Sequence, residues 1–231
     1  MGSEMCIRDR NFIAGLNGET ERTYTMNLEL LKELKSEGLW LRRINIRQVE
    51  GRGFQEIPEN DFRKFKTTVR EEIDRPMLEE IFPLGTKLKD LWWESRGGRI
   101  RLPEHLSEEK YRDPSKHGEP GITFGRQIGA YPILVGVPYA IPLESGSDIV
   151  VTGHGMRSIS GIEYGLDINH ATKSQLQALP GIGDKSSWKI ISNRARRANK
   201  NQGSFASVEE AFSEAGVTMP PLAPEVFVTT H

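Results

Sequence analysis

Asn169-His170-Ala171-Thr172-Lys173-Ser174-Gln175-Leu176-Gln177-Ala178-Leu179-Pro180-Gly181-Ile182-Gly183-Asp184-Lys185-Ser186-Ser187-Trp188-Lys189-Ile190 decides the reading of this chain. Thr172 to Gln175 has the pattern of a capping box, in which a hydroxyl and a side-chain carbonyl each satisfy an orphan amide at a helix start. Leu176 and Leu179 give that helix a buried edge, and Pro180-Gly181-Ile182-Gly183 stops it. A second helix is expected from about Asp184, burying Ile190 and Ile191. The two glycines, one residue apart, let the chain turn with no Cβ in the way. They bring backbone N–H groups at a helix N-terminus up to a phosphate oxygen, where the helix dipole also favours negative charge.

This stretch resembles the helix-hairpin-helix motif. The resemblance implies a phosphate seat at Gly181, Ile182, Gly183, Lys185 and Ser186, with Arg194, Arg196 and Arg197 neutralising neighbouring phosphates. Such contacts carry no base information, so the expected binding is sequence-independent and salt-sensitive, with DNA ahead of RNA as partner. Two departures stand out. Ser187 occupies the position usually taken by Ala, and the second hairpin of a tandem pair is reduced to Glu214-Ala215-Gly216-Val217. A helical hairpin used for packing or protein contact is the rival reading. Asp167 to Ser204 holds seven Lys/Arg against Asp167 and Asp184, a local net of +5 in a chain of net charge −1, which suits either a face made for a polyanion or a solvated helix face.

Working outward, Ser207-Val208-Glu209-Glu210 is expected to cap a third helix with Phe212 inside. The Pro-rich tail after Gly216, residues 217–231, reads as loose. Upstream, residues 121–165 hold short β-prone runs broken by Gly and Pro: Ile122–Ile128, Tyr131–Val137, Ile149–Thr152 and Ser158–Tyr164. They predict a small antiparallel barrel. This segment is similar to the TRAM domain, a small RNA-binding barrel, and Arg126, His154 and Arg157 are its candidates for phosphate contact. Residues 96–120, rich in Gly, Pro and charge, read as a linker.

Nearer the N-terminus, Asn11-Phe12-Ile13-Ala14-Gly15-Leu16 is an apolar strand-like run. A helix follows with Tyr24, Leu28, Leu31 and Leu34 on one stripe, closed by Gly38. Leu41 to Val49 is then a strand with Ile44 and Ile46 on one face and Arg43, Asn45 and Arg47 on the other. Strand, helix, strand predicts a parallel βαβ unit. A further helix, started by Asn60 or Asp61, carries Phe62, Phe65, Val69 and Ile73 and is expected to end at Pro76.

Gly15-Leu16-Asn17-Gly18-Glu19 after its strand resembles the fifth strand of the radical S-adenosylmethionine (radical SAM) barrel, where such a turn lies against the adenosyl group. The order of barrel remnant (11–95), small β-barrel (121–165) and helix-hairpin-helix (167–216) resembles a prokaryotic, especially archaeal, family of radical SAM proteins. The resemblance implies an α/β plus small β-barrel plus α fold, a remnant of a partial TIM-type barrel coming first. It implies cofactor-facing roles for Ile13, Gly15, Gly18, Glu19, Asn45 and Arg47. S-adenosylmethionine and a [4Fe–4S] cluster would belong to the full-length parent, with neither expected to bind this chain stably. The family's CxxxCxxC ligands are absent and would lie upstream. In agreement, MGSEMCIRDR at 1–10 does not read as a domain start: MCIRDR resembles sequencing-adapter read-through, so the native chain is expected to continue upstream and Cys6 to be non-native.

The remaining features narrow the field. The sequence has 231 residues, 36% hydrophobic and 27% charged, an ordinary globular composition. Its longest apolar stretch, Ala130 to Leu143, is interrupted by prolines and too short to span a bilayer. A single Cys cannot form an internal disulfide, so a cytoplasmic setting is the default. His105, His117, His154, His170 and His231 lack metal-ligand spacing. Glu71, Glu72, Asp74, Glu79 and Glu80, flanked by Arg70 and Arg75, read as a solvated ion-pair face, and Gly51-Arg52-Gly53 lacks the context of a phosphate loop. The expected function is the C-terminal part of a radical SAM enzyme that binds, modifies or repairs nucleic acid. A non-catalytic nucleic-acid adaptor and a protein-interaction scaffold are the alternatives.

Overall fold

Alternating apolar residues place the first core. In the computed structural model, which describes residues 8–39, 41–49, 51, 53–55, 58–93, 108–127 and 133–230, the chain divides into two compact units, Met1–Ile81 and Phe82–His231. In the first, β1 (Arg8–Ala14) lies parallel to β2 (Leu41–Gln48), joined by α1 (Glu21–Ser36), so the βαβ unit is present. Phe12, Ile44 and Ile46 point to the helices, where Leu31, Phe65, Val69, Ile73 and Met77 complete the core. Phe65 stacks on Tyr24 and meets Phe12 edge-on. The other sheet face presents Asn11 beside Asn45 and Ile13 beside Arg47.

Two expectations for this unit are corrected. The strand begins at Arg8, inside the segment 1–10 that the sequence sets apart, because backbone pairing continues to Leu41 whatever the side chains. The helix does not end at Pro76. It runs as α2 (Glu59–Val69), a π-helical turn at Arg70–Asp74 and α3 (Arg75–Ile81). A proline lacks an N–H and crowds the preceding turn, and the wider π-turn just before it accommodates that misfit. The carboxylates form exposed pairs as expected, Lys32–Glu72 at 2.6 Å and Arg75–Glu79 at 3.0 Å. Asp74 is the exception: it is buried and bound to Arg70, whose guanidinium also donates to the Ile44 carbonyl at 3.0 Å.

The second unit opens with β3 (Lys87–Trp93). After α4 (Glu108–Arg112) and a 3-10 turn at Pro114–Lys116 come β4 (Pro120–Gln127), β5 (Leu134–Tyr139), β6 (Gly146–His154) and β7 (Ser158–Glu163). These strands close into a five-stranded barrel in the order β3-β4-β5-β7-β6. The small barrel is therefore present, with two corrections. It recruits Lys87–Trp93, which the sequence reading assigns to the preceding domain, and its β5–β7 pair is parallel while the rest are antiparallel. Closure requires that strand, since Trp93 fills the interior against Gly125, where a Cβ would lie 2.4 Å from the indole.

After β8 (Leu166–Asp167) the chain becomes helical: α5 (Lys173–Ala178), α6 (Asp184–Asn199), α7 (Val208–Glu214) and α8 (Ala223–Val226), closed by β9 (Phe227–Val228). The tail is not loose. β9 pairs in parallel with β8, and Ala223, Val226 and Phe227 are buried. Barrel and helices also share one continuous core, from Leu88 and Val137 through Leu176 and Ile190 to Phe227, where the sequence reading had separate domains. Four short helices bury too little surface to stand alone, so the barrel completes their core. The Thr172 hydroxyl donates to the Gly118 carbonyl at 2.6 Å across that junction.

No described helix is long and apolar enough to cross a membrane. Expectations on Cys6, Arg52, His105, Ile128, Tyr131 and His231 lie outside the described residues, as do the side chains of Arg42 and Arg43.

Candidate nucleic-acid interface

The α5–α6 hairpin forms as its residues dictate. Thr172 Oγ1 accepts from the Gln175 amide at 3.2 Å, and the Thr172 amide donates to Gln175 Oε1 at 2.8 Å. Leu176 and Leu179 are fully buried. The turn depends on Gly181, whose φ of +96° is a conformation that side chains rarely adopt. Gly183 is the N-cap of α6 and offers no side chain. Among the described residues none accepts a hydrogen bond from the amides of Gly183, Asp184 and Lys185, so the helix presents donors and the positive end of its dipole to solvent.

The set of residues exposed at this turn is narrower than the sequence implies. The Ile182 side chain belongs to the core and its amide donates to the Leu179 carbonyl at 3.0 Å, so Ile182 shapes the turn from within. Ser186 is half-buried on the first turn of α6, beside buried Ser187, whose hydroxyl donates to the Asp184 carbonyl. A small residue is needed at 187 for packing, and serine satisfies its hydroxyl locally.

Asp184 places a carboxylate at the seat, which opposes an anion. Lys173 offsets it: its Nζ lies 2.5 Å from Asp184 Oδ1, and this hydrogen bond holds the Asp184 carboxyl below its usual range.

Arg194 and Arg197 do not face solvent as phosphate ligands would. Arg194 Nη1 donates to the carbonyls of Ile168 and Ala171 at 3.1 and 2.9 Å, and burial lowers the pKa of its guanidinium. Arg197 binds Glu210 and Glu214, donates to the carbonyls of Gly203, Gln202 and Ser204, and lies over the Phe205 ring. Both tie the loop ends of the helical layer together. The cations on the outer surface of α6 are Lys185, Lys189 and Arg196, which with Trp188 and Ser192 line an open groove of about 640 Å³; its two carboxylates, Asp184 and Glu214, are paired with Lys173 and Arg197. The sequence pattern assigns no binding role to Lys189 and Trp188, although their helical spacing from Lys185 marks the same face.

The β8 end of this layer is fixed by Asp167. Burial pushes its carboxyl up, but donation from Thr230, the Asn169 amide and His170 outweighs that and holds it at about 2. Of the barrel candidates, His154 is anchored to the Phe82 carbonyl at 2.6 Å, which makes it a strand-end tie. Arg126 sits in register with Trp92 and Leu134 on the outer barrel face, and Arg157 is exposed beside Met156 in the β6–β7 turn.

In the first unit, the residues assigned to a cofactor fall into two groups. The Gly15 amide donates to Glu19 Oε2 at 2.7 Å, the Gly18 amide to Gln55 Oε1 at 3.1 Å, and the Gly15 carbonyl accepts from the Gln55 amide. The turn is thus closed on itself. Ile13, Asn45 and Arg47 share one sheet face, with Ile13 half exposed and Asn45 Nδ2 donating to Asn11 Oδ1. Among the described residues no three His, Cys, Asp or Glu side chains come together as a metal site.

No protein-family model matches the chain. It is 36% identical over 181 residues to an uncharacterized protein of Archaeoglobus fulgidus, covering 74% of this chain and 30% of that relative. It is 36% identical over 162 residues to an uncharacterized protein of Methanocaldococcus jannaschii, covering 65% of this chain and 26% of that relative. The chain spans less than a third of the length of either.

Proposed function

We propose that this chain is the nucleic-acid-binding C-terminal part of a radical SAM iron-sulfur enzyme, working in the cytoplasm, and that the α5–α6 hairpin grips the phosphate backbone without regard to sequence. The observation that carries the binding reading is the open N-terminus of α6, its first amides without an acceptor among the described residues and flanked by Lys185 and Lys189. The barrel supports it: the order β3-β4-β5-β7-β6 is that of the five-stranded Greek-key barrels that bind oligonucleotides. Titration of a fluorescent duplex with the chain is the test. Micromolar affinity at low salt that hardly changes with sequence is expected, and no binding to duplex or single strand would refute the reading.

The enzymatic half rests on the parallel β1–β2 pair, the Gly15–Glu19 turn beside it, and relatives whose greater length leaves room for the rest of a barrel. This chain's own residues do not fit a [4Fe–4S] cluster, since the sequence contains one cysteine and the cluster needs several thiolates. Ile13, Asn45 and Arg47 offer an apolar and amide surface suited to a nucleoside, whereas Gly15, Gly18 and Glu19 are engaged with one another and with Gln55. The Archaeoglobus fulgidus relative, purified without oxygen, should show iron-sulfur absorption. A metal-free relative that never cleaves S-adenosylmethionine would remove the enzyme and leave the adaptor.

A further inference from the structure

Trp188 is out of place on a surface helix. The buried side of α6 is made by Ser187, Ile190 and Asn193, so the indole takes no part in the core, and 51% of the residue is exposed. Lys173 Nζ sits over the ring at 4.9 Å while also holding Asp184, which places the indole beside the N-terminus of α6. Along the same face Lys185, Lys189, Ser192 and Arg196 follow at helical spacing, a stripe about 16 Å long. The groove next to Trp188 is open to solvent.

We infer that this groove holds an unpaired nucleobase stacked on Trp188, so that the hairpin favours single-stranded nucleic acid, or a strand end, over blunt duplex. The inference rests on the nucleic-acid reading above and adds the form of the ligand. In a B-form duplex the π-faces of the bases are stacked on one another and only their edges show in the grooves. An indole beside a phosphate seat has no stacking partner there. An unpaired base presents its face, and the cationic stripe follows the strand to which it belongs. Stacking of one base on an aromatic side chain corresponds to roughly 5- to 150-fold in affinity.

The experiment compares a short blunt duplex with the same duplex carrying a single-stranded overhang, by anisotropy at one salt concentration, with the whole chain and its Trp188→Ala and Trp188→Phe variants. Wild type should favour the overhang by roughly fivefold or more. Trp188→Ala should bring the ratio close to one, and Trp188→Phe should keep most of it. Thermal melts report folding, which a half-exposed residue should not disturb. An overhang preference that survives in Trp188→Ala, or wild type with none, would overturn the inference while leaving the phosphate seat intact. Failure of wild type to bind any of the probes would instead bring down the nucleic-acid reading and this inference with it.

Discussion

Two glycine turns in this chain look alike in sequence and differ in what they leave free. After β1, Gly15-Leu16-Asn17-Gly18 leads into α1, yet its two glycine amides are taken by Glu19 and Gln55, and the Thr20 amide donates to the Thr23 hydroxyl. After α5, Gly181-Ile182-Gly183 leads into α6; the Ile182 amide donates to Leu179, while among the described residues nothing accepts from the amides of Gly181 and Gly183. A glycine before a helix permits close approach of a ligand, but binding needs donors that the protein itself has not occupied. The first turn is closed by the protein's own acceptors, and the second leaves the donors that the proposed phosphate contact would use.

That contrast can be broken at several points, beginning with the largest effect. Gly15→Ala would add a Cβ 2.6 Å from the Val49 carbonyl at a φ of +98°. It should destabilise the first unit by about 3 kcal/mol, seen in denaturant unfolding, with nucleic-acid affinity unchanged. Gly183→Ala meets nothing and has an ordinary φ, so it should cost no more than the about 1 kcal/mol by which alanine is the poorer N-cap. A Gly15→Ala protein as stable as wild type would mean that the first turn is not locked.

Arg194→Ala comes next. It strands the carbonyls of Ile168 and Ala171 and should cost about 2 kcal/mol of unfolding free energy in the second unit. The salt dependence of nucleic-acid binding should stay as in wild type, because the Arg194 guanidinium is held by those two carbonyls. A reduced salt slope at full stability would restore Arg194 to the interface.

The sequence makes local features legible and distant ones not. Thr172, Gln175, Leu176 and Leu179 were readable because a cap and its helix lie within a few residues. The roles of Arg194 and Arg197 were not, since their partners are carbonyls and carboxylates brought in from Ile168, Gly203, Glu210 and Glu214 by packing. Lys87–Trp93 could not be assigned to the barrel for the same reason: its partner β6 lies far along the chain, and one short run carries no signal of which sheet it joins. The Pro-rich tail misleads because Phe227 and Val228 anchor it through a two-residue pairing too short to show as a pattern.

Acid should act on the second unit through Asp167. Its folded carboxyl titrates at about 2, below its ordinary value of 3.8, so its contribution to stability is complete above about pH 4 and is lost as the pH falls from there towards 2. Unfolding followed over that range should be less pH-dependent in Asp167→Asn, and an identical profile in both proteins would contradict the hydrogen-bond assignment. The smallest effect belongs to Lys185→Ala. It should lower the log–log salt slope by about one, which narrows the affinity loss between 50 and 200 mM salt by about fourfold.

The contrast between the two turns is tested most directly by an amide NMR titration of the whole chain with a short duplex and its single strand. The account predicts that the amides of Gly183, Asp184 and Lys185 shift in a saturable way that salt reverses, while those of Gly15 and Gly18, already hydrogen-bonded, stay in place. Shifts at Gly15 and Gly18 with the start of α6 unmoved would contradict it.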